Sequence, residues 1–456
     1  MKKLTIAKVL TSISIASLFC TQLFALDTSF SGSSKTAVEA YMPGTENAGD
    51  FSNLKETLQA ELDVRADESR LFVSGNLTFD ALKARGDTGT DAYDLASNLA
   101  SGISGSVKEA WFDWISPASE SGVQFGFKLG RQITSWGKAD GIRIADILCS
   151  QDLSSLSATD YSESRLGFDG LTLTLSGDVF SANAYVIPFF KPSVLPLEET
   201  NPLRKILLPQ SVNIPALNTS IPVSVGSIES PEVTLANATY AMRLSFWLPA
   251  MDFSAYVYYG FDDMPILNYE MQMSGGVPSG IEVSGDYHKY FMAGLDAAIP
   301  VSNFVFRFEG ASFFDRAINT TAEYILSGGD SYFKKNQLLL LAGIDFTYGD
   351  WTLTAQYYED ILFGYDKNCD REFREPGSTL SVSKSLLGQT LELSFTGAIL
   401  WNDFDSVLSV GAGYSLTDQI TLNLEAAEYL EGPENKGTYG QYHDLSSIVL
   451  SGVYKF

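Results

Sequence analysis

The chain has 456 residues and a formal charge of -25, with 45% hydrophobic and 12% aromatic residues and only two histidines. So acidic a chain is poorly suited to nucleic acid or to a basic membrane-surface role. Two histidines far apart, His288 and His443, with no serine-centred motif near either, give no basis for a metal centre, a cofactor or a Ser/His/Asp catalyst, so no enzyme is expected. After the first 25 residues there is no run of about 18 apolar residues, the length a helical span needs. The apolar content is instead spread evenly along the chain, and a closed β-barrel is the other structure that can satisfy every backbone group in lipid.

Residues 1–25 read as a secretory signal peptide. Lys2, Lys3 and Lys8 precede an apolar stretch from Val9 to Phe24, and Leu23-Phe24-Ala25 offers a cleavage site. Phe19 before Cys20 is too bulky for a lipidation site. The expected mature chain, 26–456, is one barrel domain, three units more negative, with two cysteines, Cys149 and Cys369. Two are too few for a disulfide framework, and either a single bridge or free thiols fit.

Segments of about ten residues with period-two alternation recur down the chain, as barrel strands require. They fall near 28–42, 54–66, 70–80, 105–115, 122–133, 167–176, 178–188, 233–248 and 251–262. They continue near 284–299, 302–316, 334–348, 350–360, 372–385, 390–400, 405–416, 420–430 and 443–456. Tight turns at 66–70, 176–178, 249–250, 349 and 416–419 alternate with long excursions at 81–104, 134–166, 189–232, 263–283, 317–333 and 431–442. That rhythm predicts an all-β transmembrane antiparallel barrel of about 18 strands, with 16 the alternative, and an even count places both termini on the periplasmic side.

The alternation assigns faces. Phe304, Phe306, Phe308, Trp351, Leu353, Ala355, Tyr357, Leu391, Leu393, Phe395 and Ile399 would face lipid. Trp111, Trp114, Trp247, Tyr256, Tyr258 and Tyr259 would form interfacial girdles. Glu61, Asp63, Asp80, Glu109, Asp113, Asp296, Glu309, Asp345, Glu392 and Glu425 fall on the lumen side, with Arg65, Lys128, Arg243, Arg307 and Lys455. An unblocked lumen with that balance would favour cations. Neighbouring opposite signs, such as Asp63 with Arg65, would equally pair with each other.

Residues 131–161 lack strand alternation yet mix buried-type residues with charges. Trp136, Ile142, Ile144, Ile147 and Leu148 are greasier than a solvated loop needs, and Lys138, Asp140, Arg143, Asp146 and Asp152 lie among them. The expectation is a long extracellular loop folded into the barrel mouth, with Trp136, Lys138, Asp140, Arg143, Asp146 and Asp152 as constriction candidates. The stretch Arg131-Gln132 to Trp136-Gly137-Lys138-Ala139-Asp140-Gly141, with Asp146 and Gln151-Asp152, resembles a bacterial outer-membrane family, the domain of unknown function 1302. Glu109-Ala110-Trp111-Phe112-Asp113 and Val186-Ile187-Pro188-Phe189-Phe190-Lys191-Pro192 agree with it, so the resemblance covers 105–195. Cys149-Ser150 departs from its pattern. The resemblance implies a barrel with a porin-like or transport role and no defined substrate.

The loop 189–232 is rich in proline and aliphatics, fit either for a hydrophobic landing site or for an ordered surface loop; 81–104 has a short helical stretch. The chain ends on Leu445–Phe456, an alternating strand with a terminal aromatic of the kind read by the barrel-assembly machinery. The leading functional expectation is a porin-like outer-membrane channel for small-molecule solutes, set in outer-membrane lipid and narrowed by 134–166. The alternatives are a facilitator for hydrophobic solutes, similar to fatty-acid transporters, and a surface adhesin or structural barrel.

Overall fold

The computed structural model describes residues 26–82, 102–156, 161–198, 201–208, 210–214, 219–433 and 437–456. The expected signal peptide and most of the helical stretch in 81–104 lie outside the described residues.

Eighteen strands form one closed antiparallel sheet. In chain order they are β1 (Asp27–Tyr41), β2 (Phe51–Ala66), β3 (Ser69–Asp80), β4 (Ile103–Ile115), β5 (Gln124–Gln132) and β6 (Phe168–Gly177). Then come β7 (Phe180–Ile187), β8 (Thr239–Leu248), β9 (Met251–Phe261), β10 (Lys289–Val301), β11 (Phe304–Asn319) and β12 (Tyr332–Tyr348). The last six are β13 (Trp351–Phe363), β14 (Gly377–Leu386), β15 (Leu391–Leu400), β16 (Asp405–Ser415), β17 (Ile420–Leu430) and β18 (Ser447–Lys455). Each strand pairs with the next, and β1 pairs with β18 from Ser33↔Lys455 to Tyr41↔Ser447. The strand count expected from alternation is the count observed.

The terminal aromatic finishes the closure. Phe456 N–H donates to Gly32 O and Gly32 N–H to Phe456 O, both at 3.0 Å. The ring lies over residue 32, where a Cβ would stand 2.7 Å from it and 2.4 Å from Gln59 O, so glycine is required there.

Connections at one end, such as 67–68, 178–179, 249–250, 302–303 and 349–350, are tight, and the termini lie with them. The other end carries the long loops. On the outer face Leu54, Leu58, Leu129, Leu295, Phe308, Leu393, Val410 and Leu450 are exposed, an apolar surface that lipid would cover. Trp114 and Tyr259 share that face with their lipid-side neighbours. Trp111, Tyr256 and Tyr258 do not: all three turn inward and are buried, a correction to the girdle expectation. Trp247, opposite Asp252, falls on the inner face by the same register.

The loop end holds a feature that alternation alone did not separate. Segments Ser211–Ile214, Thr219–Glu229, Ile266–Ser274 and Val277–Asp286 form a second, four-stranded sheet outside the barrel ladder. Thr219–Glu229 runs parallel to Val277–Asp286. Its apolar side closes over Leu208, Ile221, Ile281 and Val283, with Leu197, Val223, Val225, Leu267 and Tyr269 around them. The aliphatics of 189–232 thus serve a small core of their own.

Candidate functional site

One sector of the barrel's inner wall carries an apolar patch. Phe168, Tyr185, Ile187, Ala241, Tyr256, Tyr258, Tyr290, Met292, Ala311, Phe313, Leu339 and Leu341, on β6–β12, all point inward and are buried. An 18-strand barrel is about 35 Å across its backbone, too wide for opposite walls to meet, so this surface needs another cover. The connection between β5 and β6 supplies it: Trp136, Ile144, Ala145, Leu148 and Cys149 pack against the wall in one continuous core. The loop therefore lies inside the barrel.

Wall side chains strap the loop down through its backbone. Glu309, on β11 and 4% exposed, accepts N–H bonds from Lys138 (2.5 Å), Ala139 (2.8 Å) and Ala145 (2.8 Å). The Tyr256 hydroxyl on β9 accepts the Gly137 N–H at 3.0 Å and donates to Asp296. On β13, Gln356 holds both sides of one peptide position, accepting Asp140 N–H at 2.9 Å and donating to Asp140 O at 2.8 Å. Arg307 donates to Lys138 O at 2.8 Å and Arg243 to Ser135 O at 3.3 Å. Tyr256, Glu309 and Gln356 each stand about six residues from their nearest tight turn, or about 15 Å along a tilted strand, so the loop is seated deep in the barrel.

Gly137 makes this seating possible. Its φ is +82°, and a Cβ there would come within 2.3 Å of the Glu309 carboxylate. The loop is braced internally as well. The Asp146 carboxylate accepts Trp136 N–H at 2.9 Å and pairs with Arg165 at 2.6 Å. Arg143 reaches Asp146 O, Cys149 O and the Asp263 carboxylate at 2.8–3.0 Å. Burial pushes the Cys149 thiol up to about 12. Cys149 and Cys369 are both free.

The expected constriction residues thus separate into two groups. Arg143 and Asp146 face the loop's own interior and brace it with their polar groups, whereas the Trp136 ring packs on Tyr185 and Tyr256 of the wall. Asp152 accepts from Ser154 and bridges to Val194, in the outer part of the loop. Lys138 is half-buried, and Asp140, with Gly141 and Ser135, is exposed to the lumen.

Of the lumen charges, Arg307 pairs with Asp345, which also accepts from Thr354 at 2.8 Å. Glu109 accepts Ile133 N–H at 3.0 Å and Trp111 Nε1–H at 3.2 Å. Lys128 sits 4.2 Å from the Trp111 ring centre and opposite Asp113. Asp63 is held by Arg65 and Arg70. Five of the ten acids expected to set a cation-attracting field are paired (Asp63, Asp345) or accept hydrogen bonds in the loop's seat (Glu109, Asp296, Glu309). Tyr256 and Gln356, both central to that seat, were not singled out from sequence as lumen anchors. Gln356 alone carried a signal, as a polar residue between the lipid-facing Ala355 and Tyr357.

The remaining inner wall, on β14–β18 and β1–β3, is uncovered by this loop and polar: Thr379, Ser381, Ser394, Thr396, Asn423, Ser33, Thr57 and Gln59 all point inward. The inner surface that the loop leaves uncovered therefore lies on one side of the barrel, beginning at Thr379 next to Gln356 and the loop tip around Asp140.

No family model matches the chain and no curated protein does. Among solved structures, the OccK9 (OpdG) protein of Pseudomonas aeruginosa aligns at TM-score 0.49 and 9% identity, over 94% of this chain and 98% of that one. OccAB1 of Acinetobacter baumannii aligns at 0.49 and 10%, over 94% and 96%. OmpF of Salmonella typhi aligns at 0.40 and 8%, over 94% and 97%. The barrel assignment itself rests on the closed ladder of hydrogen bonds.

Proposed function

We propose that the protein is a porin-like outer-membrane channel that passes small solutes by diffusion, narrowed permanently by the loop 134–166. The observation that carries this reading is the seat of that loop. Glu309, Tyr256 and Gln356 hold it against one wall while the opposite wall stays polar and uncovered. Lys138 and Asp140 are the charged residues of the loop placed to face the passing solute, and no catalytic step is involved.

The turn end and both termini are periplasmic in this reading, the long loops are extracellular, and the strand ending at Phe456 is the element offered to the barrel-assembly machinery. The resemblance of 105–195 to the domain of unknown function 1302 fits the same role. Since so many acids are engaged, cation preference should be weak. The hydrophobic-solute alternative loses its main support, because the aliphatics of 189–232 are used in the second sheet's core.

Planar-bilayer recording tests the proposal. Stepwise conductance with a reversal potential close to zero in a salt gradient is the expected result. An intact barrel that inserts without conducting would refute it and favour a surface barrel.

A further inference from the structure

We propose that the passage favours uncharged, hydroxyl-bearing solutes, the chemistry of small sugars and polyols; this rests on the channel reading and names the solute class for it. The uncovered wall presents hydroxyls and amides from successive strands. Ser381 and Ser394 on β14 and β15, Asn423 on β17, Ser33 on β1, and Thr57 and Gln59 on β2 are all at least partly open to the lumen. A hydroxyl donates one hydrogen bond and accepts two, and an amide does both. Such a surface can exchange partners with every hydroxyl of a polyol and replace its lost water without requiring a charge.

An ion needs a run of one sign along its path to offset lost hydration. Here that run is missing on both sides. The strip itself carries Lys35, Lys55 and Lys455 against Glu39, Glu61, Asp80, Glu392 and Glu425, and Asp63 beside Arg65 and Arg70. Lys55 lies opposite Asp80, and Glu39, Glu61 and Glu425 accept from Ser447, Gln59 and Ser409. Across from it, Arg307 is matched by Asp345, and Glu309 accepts three N–H bonds. Ser33, Thr57, Ser381 and Ser394 are short side chains, which leaves room beside them for a ring-sized molecule.

Full-length protein in liposomes tests this with glucose, glucuronate and glucosamine, one ring carrying no charge, one negative and one positive charge at pH 7. Glucose should enter faster than either charged analogue by about threefold, the factor that a difference of about 0.7 kcal/mol gives. Ser394→Lys should move the preference toward glucuronate, and Asn423→Asp toward glucosamine. Equal or faster entry of a charged analogue, or variants that leave the order unchanged, overturns the solute assignment. Conductance without sugar entry overturns it as well. Absence of both conductance and entry overturns the channel reading instead.

Discussion

Glu309→Gln is the substitution that most directly tests whether the loop is a fixed part of the lumen. The carboxylate accepts from Lys138 and Ala139 on one oxygen and from Ala145 on the other. Glutamine preserves shape and one acceptor oxygen, but turns an amide N–H2 group toward one of the three donors. A hydrogen bond to a charged group contributes about 1.5–3 kcal/mol, so losing one and weakening two should cost docking about 3 kcal/mol. That raises the undocked fraction about 100-fold.

Cys149 reports it, because the thiol is buried in the loop's core and burial pushes it up to about 12. In a Cys369→Ser background, maleimide should label the wild type slowly and the variant about 100-fold faster when labelling follows undocking. Single-channel conductance should rise and become noisier. Equal labelling and equal conductance in the two proteins would refute the argument that this carboxylate holds the loop.

Gly137→Ala should act in the same direction, since its Cβ would stand 2.3 Å from Glu309 on a backbone with φ +82°; raised conductance with a lowered barrel melting transition is the expected pattern, because the loop covers the apolar wall. Lys138→Met and Asp140→Asn should move the reversal potential in opposite directions, read in a tenfold salt gradient. Asp146→Asn should release the loop, as removing one member of a buried pair costs about 3–5 kcal/mol, read by faster Cys149 labelling. The pH dependence of docking has a defined sign. The Cys149 thiol is raised from its ordinary 9.0 to about 12 when docked. Docking is therefore unaffected below 9 and weakens between 9 and 12, where the undocked thiol loses its proton first; Cys149→Ser should remove that slope in a proteolysis assay.

Strand number, connection rhythm and most of the face assignments were legible because a lipid-facing strand repeats every two residues and shows it in composition. Phe304, Phe306 and Phe308 could hardly be read otherwise. Trp111, Tyr256 and Tyr258 could be misread for a physical reason: an aromatic in a barrel strand looks the same in sequence whether its ring meets lipid or an inserted loop. Glu309 was legible as an inward acid, but its role was not. Nothing local distinguishes a carboxylate facing water from one that meets Lys138, Ala139 and Ala145, more than 160 residues earlier. The sheet joining Thr219–Glu229 to Val277–Asp286 was hidden similarly, because its parallel pairing links segments separated by two barrel strands.

The inner wall explains why the loop belongs to the fold as well as to the passage. A hydrated lumen penalises Tyr258, Tyr290, Met292, Phe313 and Leu341 on the inside of β9–β12, at about 25 cal/mol for each Å² of apolar surface left in water. A barrel lined this way is stable only when something apolar covers that face. Trp136, Ile144 and Leu148 can do so only after their loop's backbone groups find partners. Glu309, Tyr256, Gln356, Arg307 and Arg243 provide those partners from the same strands or their neighbours. Burial and hydrogen bonding therefore demand one position for the loop, and the polar strip opposite is the part of the wall that this position leaves for solutes.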